Sequence, residues 1–186
     1  MQISVFWLMI KACDIIILDE AVTKNCTKHF ALLYERRGLI MKTLIIYASH
    51  HHGNTEKLVK HMAENYDIEL VDAEKEDKVD YDGYDLIGFA SGMDFGKFYP
   101  QVTDLAEKLP AGKKVFALYT CGMDSSNYGR QIEEIAAHTD CKYLGKFGCK
   151  GYDTYGPWKL IGGINKAHPS ESEMADACAF YESISK

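Results

Sequence analysis

The chain has 186 residues, of which 47% are apolar and 26% are charged, and this is the size and composition of one globular domain with its own core. Its formal charge of −6 argues against nucleic-acid binding, because an acidic protein without a strong basic patch is repelled by a phosphate backbone. The six cysteines form no Cys-x-x-Cys pair and stand at no zinc-finger spacing from a histidine, so we expect free thiols and a cytoplasmic location.

The first forty residues differ from the remainder of the chain. Residues 3–10 and 15–18 are apolar runs separated by charges, and neither approaches the stretch of about 20 apolar residues that crosses a membrane. The segment also lacks the basic start and the cleavage site of a signal peptide, so we predict no membrane association. Residues 36–38 (Arg-Arg-Gly) can be encoded by a purine-rich ribosome-binding sequence, at the usual short distance before Met41.

These features favour a translation start at Met41, so that residues 1–40 would be a non-native or disordered leader and residues 41–186 the domain. A real N-terminal extension that packs on the domain is the alternative. Without the leader the chain has 16 basic and 23 acidic residues and a formal charge of −7, so it remains acidic. Mass analysis of the native N-terminus distinguishes the two, since a dominant species that keeps residues 1–40 would contradict the leader hypothesis.

After this segment, apolar runs alternate with amphipathic ones. In chain order we predict a strand at 43–48, a helix at 54–66, a strand at 68–71, a solvated acidic connection at 72–82, a strand at 86–90, a helix at 102–109, a strand at 115–119, a helix at 128–138, a strand at 143–149 and a last helix from 170 to about 184. Asn54 or Thr55 would cap the first helix, and Pro110 closes the second. Ser170 and Glu173 form a capping box for the last.

Strands that alternate with helices require right-handed crossovers, which give a parallel sheet covered by helices on both faces. Five such units predict a doubly wound α/β fold, with a five-stranded parallel sheet in three α/β/α layers. In this class of fold, ligands bind at the carboxyl ends of the strands. The loops at residues 49–54, 91–99, 120–127 and 150–168 should therefore converge on one site.

The first of these loops has the composition of an anion-binding loop. Gly53 permits a tight turn, the amides at the start of the helix point in one direction, and the hydroxyls of Ser49 and Thr55 add donors. Such a loop can hold a phosphate without a fixed positive charge. It matches neither the Walker pattern nor Gly-x-Gly-x-x-Gly. The alternative is a polar strand-to-helix turn that binds nothing.

Residues 44–49, followed by residues 53–56 (Gly-Asn-Thr-Glu), resemble the phosphate loop of flavodoxin-family proteins. The resemblance continues through residues 85–97 and 114–122, which match the second and third flavin-contacting loops of that family. It implies the strand order 2-1-3-4-5 and non-covalent FMN as the cofactor. One difference is that three residues, all histidine, separate the serine and the glycine of the loop, where the usual pattern has two.

The resemblance assigns FMN contacts to three loops. Those contacts are Ser49, His51, His52, Gly53, Asn54 and Thr55 around the phosphate, Ser91, Gly92, Met93, Asp94, Phe95 and Gly96 at the edge of the isoalloxazine ring, and Thr120, Cys121, Gly122 and Tyr128 in the third loop. Gly92 could rotate its peptide so that a carbonyl accepts a hydrogen bond from the one-electron reduced ring, or it could be a simple turn glycine. Phe95 and Tyr128 could pack on the ring or belong to the rim.

The histidine triplet at residues 50–52 raises the question of a metal site, because imidazole is a common ligand. Successive residues of a tight loop point in different directions, and no acidic or cysteine partner is near in sequence, so we predict no metal site. Cys121 and Cys149 lie at or near strand ends that would face the flavin, which suggests a redox-sensitive thiol. A structural cysteine is the alternative and the more common case.

The segment at residues 150–168 is long, irregular and rich in aromatic residues. Such connections are uncommon in compact domains unless they have a function. We expect this one to form a wall or lid over the ring, with Trp158 or Tyr155 limiting access. A packed connection at the edge of the sheet is the alternative.

The expected function is electron transfer through non-covalent FMN, because a site of this kind supplies little acid–base chemistry and the sequence predicts no catalytic residue. An FMN-dependent NAD(P)H:quinone-type oxidoreductase is the alternative, and a flavin-free binding module on the same fold is a further one. The negative charge of the chain would guide docking to redox partner proteins with basic surfaces.

Overall fold

The computed structural model describes residues 41–186, and the predictions about residues 1–40 lie outside this part of the chain. Strands and helices alternate along it. The strands are β1 (Thr43–Ala48), β2 (Ile68–Asp72), β3 (Leu86–Gly92), β4 (Lys114–Cys121) and β5 (Lys142–Lys150), and the helices are α1 (Asn54–Asn65), α2 (Pro100–Ala106), α3 (Arg130–His138) and α4 (Glu171–Ile184). A 3-10 helix, Gly156–Ile161, lies between β5 and α4.

These five strands pair in parallel in the order β2-β1-β3-β4-β5. β1 and β3 occupy central positions because their apolar runs are continuous, and every residue from Thr43 to Ala48 and from Leu86 to Ser91 is buried. β2 and β5 form the two edges, where most side chains keep some contact with solvent. The predicted doubly wound fold is confirmed, together with the strand order that the sequence resemblance implies.

Helices cover both faces of the sheet, which gives the predicted three layers. Alternate residues of β1 belong to opposite cores: Leu44 and Ile46 pack in the core with α2 and α3, whereas Ile45 and Tyr47 pack in the core with α1 and α4. Burying one such aliphatic side chain contributes about 1.5–3 kcal/mol, so the two cores supply most of the stability. The helical side chains that fill them are Val102, Leu105, Ile132 and Ile135 on one face and Leu58, Val59, Met62 and Tyr181 on the other.

The start of α1 differs from the sequence prediction. The helix begins at Asn54, and its N-cap residue is Gly53 in the left-handed conformation, with no hydrogen bond from a capping side chain. The prediction that Asn54 or Thr55 caps this helix is therefore wrong. Both side chains instead point to partners far away in sequence, which removes them from the cap.

The limits of α2 and α3 also differ from the predictions. α2 begins at Pro100, two residues earlier than predicted, because proline suits the first turn of a helix, where a missing N–H costs nothing. It ends at Ala106, and the chain continues in two tighter turns to Leu109. α3 begins at Arg130 because Gly129, with a φ of 80°, still belongs to the preceding turn.

A β-bulge interrupts the pairing of β4 with β5. Val115 lies opposite Tyr143, but Ala117 lies opposite Lys146, so β5 contains one extra residue at this point. Gly145 sits in the bulge with a φ of 123°, a value that residues with a side chain rarely adopt. The extra residue reverses the alternation of β5, and Lys146 consequently lies on the same face of the sheet as Tyr143.

The capping box predicted for α4 is confirmed. Ser170 Oγ accepts a hydrogen bond from Glu173 N at 3.3 Å, and the Glu173 carboxylate accepts from Ser170 N at 2.8 Å. These two contacts satisfy amides that would otherwise lack acceptors at the start of the helix. None of the helices within residues 41–186 combines the length and the apolar character that crossing a membrane requires.

Candidate functional site

The segments that follow β1, β3, β4 and β5 meet at the carboxyl edge of the sheet and enclose a cavity of about 550 Å³. Ligand sites in proteins measure about 300–1,000 Å³, so this cavity has room for a nucleotide-sized molecule. Its lining consists of Ser49, His50, His51, Asn54 and Thr55, then Gly92, Met93, Asp94, Phe95, Gly96 and Tyr99, then Thr120, Cys121, Gly122, Met123 and Tyr128, and finally Gly151, Tyr152, Asp153, Tyr155, Pro157 and Trp158. The four segments that the sequence predicts to converge do converge.

The first loop, residues 49–55, turns sharply between β1 and α1. His52 and Gly53 both have positive φ, 58° and 66°, a conformation that favours glycine. The turn leaves the amides of His52, Gly53 and Thr55 without an acceptor among residues 41–186, at the N-terminal end of α1. Free amides at a helix N-terminus attract anions, because the helix dipole adds to their partial positive charge.

Two hydroxyl groups add donors to the first loop. Ser49 Oγ accepts a hydrogen bond from Glu56 N at 3.2 Å, which leaves its own proton free to be donated. Thr55 Oγ1 and Thr120 Oγ1 are 2.8 Å apart and both residues are buried. Because only one hydroxyl of such a pair can donate to the other, the proton of the accepting hydroxyl is available for a ligand.

Asn54 connects the first loop to the 151–168 segment, the connection between β5 and α4. Its Nδ2 donates to the carbonyl oxygens of Tyr152 at 2.8 Å and His51 at 3.1 Å. Its Oδ1 accepts a hydrogen bond from Tyr152 N at 3.1 Å. The Asn54 amide is therefore paired with a peptide group on the opposite side of the cavity, and the two segments are held together.

The three histidines of the first loop have different surroundings. The His50 ring stacks on Tyr99, with 3.9 Å between ring centroids, and its Nε2 contacts the Glu74 carboxylate. The His52 side chain lies outside the cavity wall, and its Nε2 is 2.9 Å from Thr154 Oγ1. Within residues 41–186 there is no cluster of three or more His, Cys, Asp and Glu side chains suited to holding a metal ion.

The second loop, residues 93–99, contains a tight turn. Asp94 N donates to the Lys97 carbonyl at 2.9 Å, and Lys97 N donates to the Asp94 carbonyl at 3.0 Å. Phe95 and Gly96 at the centre of the turn have φ values of 47° and 83°, as in a type I′ turn. This turn presents the Phe95 ring, 81% exposed, at the mouth of the cavity.

Gly92, the last residue of β3, is held by hydrogen bonds on both sides of its peptide. Its carbonyl accepts from Ser91 Oγ at 2.7 Å, and the next amide, that of Met93, donates to the Thr120 carbonyl at 3.1 Å. Rotation of this peptide would break both bonds. Ser91 Oγ also accepts from Tyr99 N at 2.9 Å, so its hydroxyl is used within the fold and the side chain is fully buried.

The two cysteines considered as redox-sensitive thiols, Cys121 and Cys149, are buried. Cys121 and Cys149 are only 6% and 7% exposed. Burial raises the pKa of both thiols to about 12, and Asp124 adds to the increase at Cys121, as Glu173 does at Cys149. Both groups therefore stay protonated at neutral pH, and a protonated thiol is a poor nucleophile. This favours the structural alternative for the two cysteines.

The 151–168 segment folds back on itself beside the cavity. Asp153 and Ile164 form an antiparallel bridge, with amide-to-carbonyl distances of 3.1 and 2.8 Å, and the 3-10 helix forms the tip. Tyr155 meets Phe95 of the second loop edge to face, with 5.6 Å between ring centroids. The segment thus forms one wall of the cavity and reaches across its mouth.

Carboxylates surround the cavity. Asp94 and Asp153 line it, and Glu74 lies close to His50 on its edge. Burial raises the pKa of the Tyr99 phenol to about 12, and these three carboxylates contribute to the increase. Tyr99 therefore remains a neutral hydrogen-bond donor at physiological pH.

Most of the predicted site residues lie in the cavity wall, but His52, Gly53 and Ser91 do not. The cavity also contains residues that the sequence analysis missed, namely His50, Tyr99, Met123, Gly151, Tyr152, Asp153 and Pro157. His50 could have been found, since it directly follows Ser49 in the loop. Tyr152 and Asp153 carry no local signal, because their placement depends on the pairing with Asn54 and Ile164.

A family model described as a flavodoxin domain matches residues 44–150, which include all of β2, β3, β4 and β5 and nearly all of β1. The chain belongs to the flavodoxin-domain family. An uncharacterised protein of Methanocaldococcus jannaschii is 38% identical to it over 149 residues, which cover 78% of this chain and 99% of that protein.

Solved flavodoxin structures resemble the domain. A flavodoxin from the domain Archaea aligns with a TM-score of 0.53 at 14% identity, and the alignment covers 77% of this chain and 96% of the flavodoxin chain. A short-chain flavodoxin associated with a bacterial microcompartment aligns with a TM-score of 0.55 at 13% identity, and the alignment covers 77% of this chain and 97% of that flavodoxin. At these identities the similarity establishes the flavodoxin fold.

Proposed function

We propose that this flavodoxin-domain protein binds FMN non-covalently and carries electrons between redox partner proteins. One observation carries the proposal: a loop with free amides and a cavity with aromatic walls lie side by side at the carboxyl edge of the sheet. FMN has two matching parts, a doubly charged phosphate and a flat apolar ring. When bound, it supplies one- and two-electron transfer.

The first loop fits the phosphate. The Thr55 amide and the Ser49 hydroxyl proton, both at the cavity wall, have no acceptor among residues 41–186. The amides of His52 and Gly53, beside the cavity in the same loop, also have none within these residues. Hydrogen bonds from such donors to a charged acceptor are stronger than neutral ones, so a doubly negative group can be held without lysine or arginine. The Thr120 hydroxyl, which pairs with that of Thr55, lies at the same place.

The opposite side of the cavity fits the ring. Met93, Phe95, Tyr128, Tyr155 and Trp158 offer sulfur and aromatic surfaces, which pack well against a flat heterocycle. The contact between Phe95 and Tyr155 narrows the mouth. A narrow mouth suits electron transfer to a docked protein better than stacking of a nicotinamide on the ring, and this supports the carrier over the oxidoreductase.

The charge of the protein supports a protein partner of opposite sign. The chain has a formal charge of −6, and Asp94, Asp124 and Asp153 lie close to the cavity. Acidic groups around a redox site attract basic surfaces and increase the rate of encounter. We therefore propose redox partners with basic docking surfaces.

A titration with FMN, followed by flavin fluorescence and calorimetry, tests the proposal. Riboflavin is the matched control, because it has the same ring and no phosphate. If the first loop holds the phosphate with two or three charge-assisted hydrogen bonds, FMN should bind about a hundredfold more tightly than riboflavin, or better. Protein that stays colourless and releases no heat with FMN would support the flavin-free module instead.

The oxidoreductase alternative is tested on the FMN-loaded protein. The carrier should accept electrons from a partner reductase and should oxidise NAD(P)H only slowly, with or without a quinone. Rapid, quinone-dependent oxidation of NAD(P)H by the purified protein would contradict the carrier proposal and favour the enzyme.

A further inference from the structure

Lys146, a residue of β5, binds the backbone of a neighbouring loop through its ammonium group. Its Nζ donates to the carbonyl oxygens of Ser126 at 2.6 Å and Tyr128 at 2.5 Å. Both carbonyls belong to the third loop, residues 122–129, which follows β4. Lys146 forms no ion pair with a carboxylate within residues 41–186, so these two carbonyls are the partners that the fold provides for its charge.

The β-bulge at Gly145 places Lys146 in this position. In a regular strand, residue 146 would point to the face opposite that of Tyr143, towards α4. The extra residue brings Lys146 to the face where the third loop and α3 lie. Gly129 leaves room for the stem of the side chain, since a Cβ atom at Gly129 would lie 3.2 Å from Lys146 Cδ.

The third loop holds three residues of the cavity wall, Gly122, Met123 and Tyr128. The Tyr128 ring stands edge-on to Tyr119 at 5.8 Å and also lies close to the second loop, where a Cβ atom at Gly96 would be 3.4 Å from its Cε1. A displacement of the third loop would therefore move the wall of the cavity and the Phe95 turn beside it. Lys146 itself lies outside the lining of the cavity.

We propose that Lys146 is a positioning residue, which clamps the third loop through the Ser126 and Tyr128 carbonyls and so preforms the ring end of the FMN site. This inference rests on the proposed function for its ligand, but the clamp itself is a property of the chain alone. A hydrogen bond that involves a charged group is stronger than a neutral one, and two bonds from one ammonium group fix both the position and the orientation of a short loop. Preformed loops bind more tightly because less conformational entropy is lost.

The test compares Lys146→Met, which keeps the stem and removes the charge, with Lys142→Met, which removes an exposed lysine of the same strand. Hydrogen exchange of the amides in residues 122–129 is measured without FMN, and the FMN dissociation constant is measured separately. We expect Lys146→Met to speed exchange in the third loop about tenfold and to weaken FMN binding by a similar factor. Lys142→Met should have the wild-type exchange rate and the wild-type FMN dissociation constant. Lys146→Arg, which keeps the charge, should stay close to the wild type in these two quantities.

The outcomes separate the clamp from the cofactor assignment. Unchanged exchange at residues 122–129 in Lys146→Met overturns the proposal, whatever FMN does. Faster exchange in a protein that binds no FMN supports the clamp and counts against the proposed function alone. If Lys146→Met fails to fold, Lys146→Gln takes its place, because its neutral amide is a weaker donor than the ammonium group. Faster third-loop exchange in Lys146→Gln than in the Lys142→Met control supports the clamp, and equal exchange overturns it.

Discussion

Thr55 and Thr120 lie 65 residues apart in the sequence and share one hydrogen bond between their hydroxyls. Both residues are buried, and both line the cavity. The bond joins the first turn of α1 to the end of β4. One hydroxyl proton of the pair is left without a partner at the cavity wall, and the proposed phosphate site would use it as a donor.

Replacing Thr55 by valine keeps the shape of the side chain and removes its hydroxyl. We expect Thr55→Val to weaken FMN binding about tenfold and to leave riboflavin binding unchanged, because only FMN has the phosphate. The free energy of unfolding should fall by about 1–3 kcal/mol, since the Thr120 hydroxyl loses its partner. Thr103→Val, on α2 and away from the cavity, is the control. Equal losses of FMN and riboflavin affinity would contradict the role of Thr55 at the phosphate.

Asn54 is the residue that joins the first loop to the wall formed by the 151–168 segment. It is separated by 98 residues from Tyr152, whose peptide group it pairs with. The family resemblance assigns Asn54 to the phosphate, and the helix cap predicted for Asn54 is wrong because its side chain pairs with Tyr152. Nothing near residue 54 in the sequence indicates this partner.

The Asn54→Ala substitution should therefore loosen the 151–168 segment. Losing these hydrogen bonds makes local opening about 5–30 times more frequent. Trypsin cleavage after Lys159, at the exposed tip of the segment, should become faster by that factor, while cleavage after Lys57 in α1 serves as an internal reference. Asn65→Ala, at the other end of α1, is the matched control. A rate of cleavage at Lys159 equal to that of the wild type would show that the segment is held by other contacts.

At the scale of elements, α4 is tied to β5 through its cap. Partial burial by itself would raise the pKa of the Glu173 carboxyl, but hydrogen bonds from Ser170, His168 and Lys150 N outweigh it and lower the pKa from 4.5 to about 2. A carboxyl whose pKa is lower in the folded state stabilises the fold above its unfolded pKa. This contribution is lost as the pH falls from about 4.5 towards 2.

Glu173→Gln should remove this pH dependence. At pH 7 we expect the free energy of unfolding to fall by about 1 kcal/mol, because the capping box and its charge are weakened. The difference from the wild type should shrink as the pH is lowered through the acid range, where the wild-type carboxyl also loses its charge. Urea unfolding at a series of pH values measures this. Glu171→Gln, at an exposed position of the same first turn, is the control, and its free energy of unfolding should follow that of the wild type at every pH. If the difference between Glu173→Gln and the wild type did not change with pH, the Glu173 carboxylate would not be its cause.

The sequence predicted the elements that depend on their own residues. The continuous apolar runs of β1 and β3 and the capping box of α4 are local signals, and the structure confirms the elements they predict. The bulge at Gly145 and the fold of the 151–168 segment depend on contacts with distant residues, so no local pattern predicts them. The candidate site shows the same division. The family resemblance predicts the cavity segments that follow β1, β3 and β4, whereas the contacts of the segment that follows β5 are known only from the structure.

At the scale of the whole molecule, the negative charge gives a testable dependence on salt. Raising the ionic strength shortens the range of electrostatic attraction, with a Debye length of about 10 Å at 0.1 M. Electron transfer from the FMN-loaded protein to a small basic haem protein should therefore slow several-fold between about 10 and 200 mM salt. Stopped-flow measurement of the second-order rate checks this, with a small neutral acceptor as the control. A rate that rises with salt would contradict docking to basic partners.

The large apolar side chains that remain exposed in residues 41–186 all lie at one end of the domain. They are Phe95, Met123, Tyr155, Leu160 and Ile161, and they belong to the segments that follow β3, β4 and β5. Residues 41–186 therefore form a domain with one exposed apolar end. On an alkyl-coated resin or a carbon electrode the domain should adsorb through this end, so that FMN bound as proposed would lie against the support and the polar end would face the buffer.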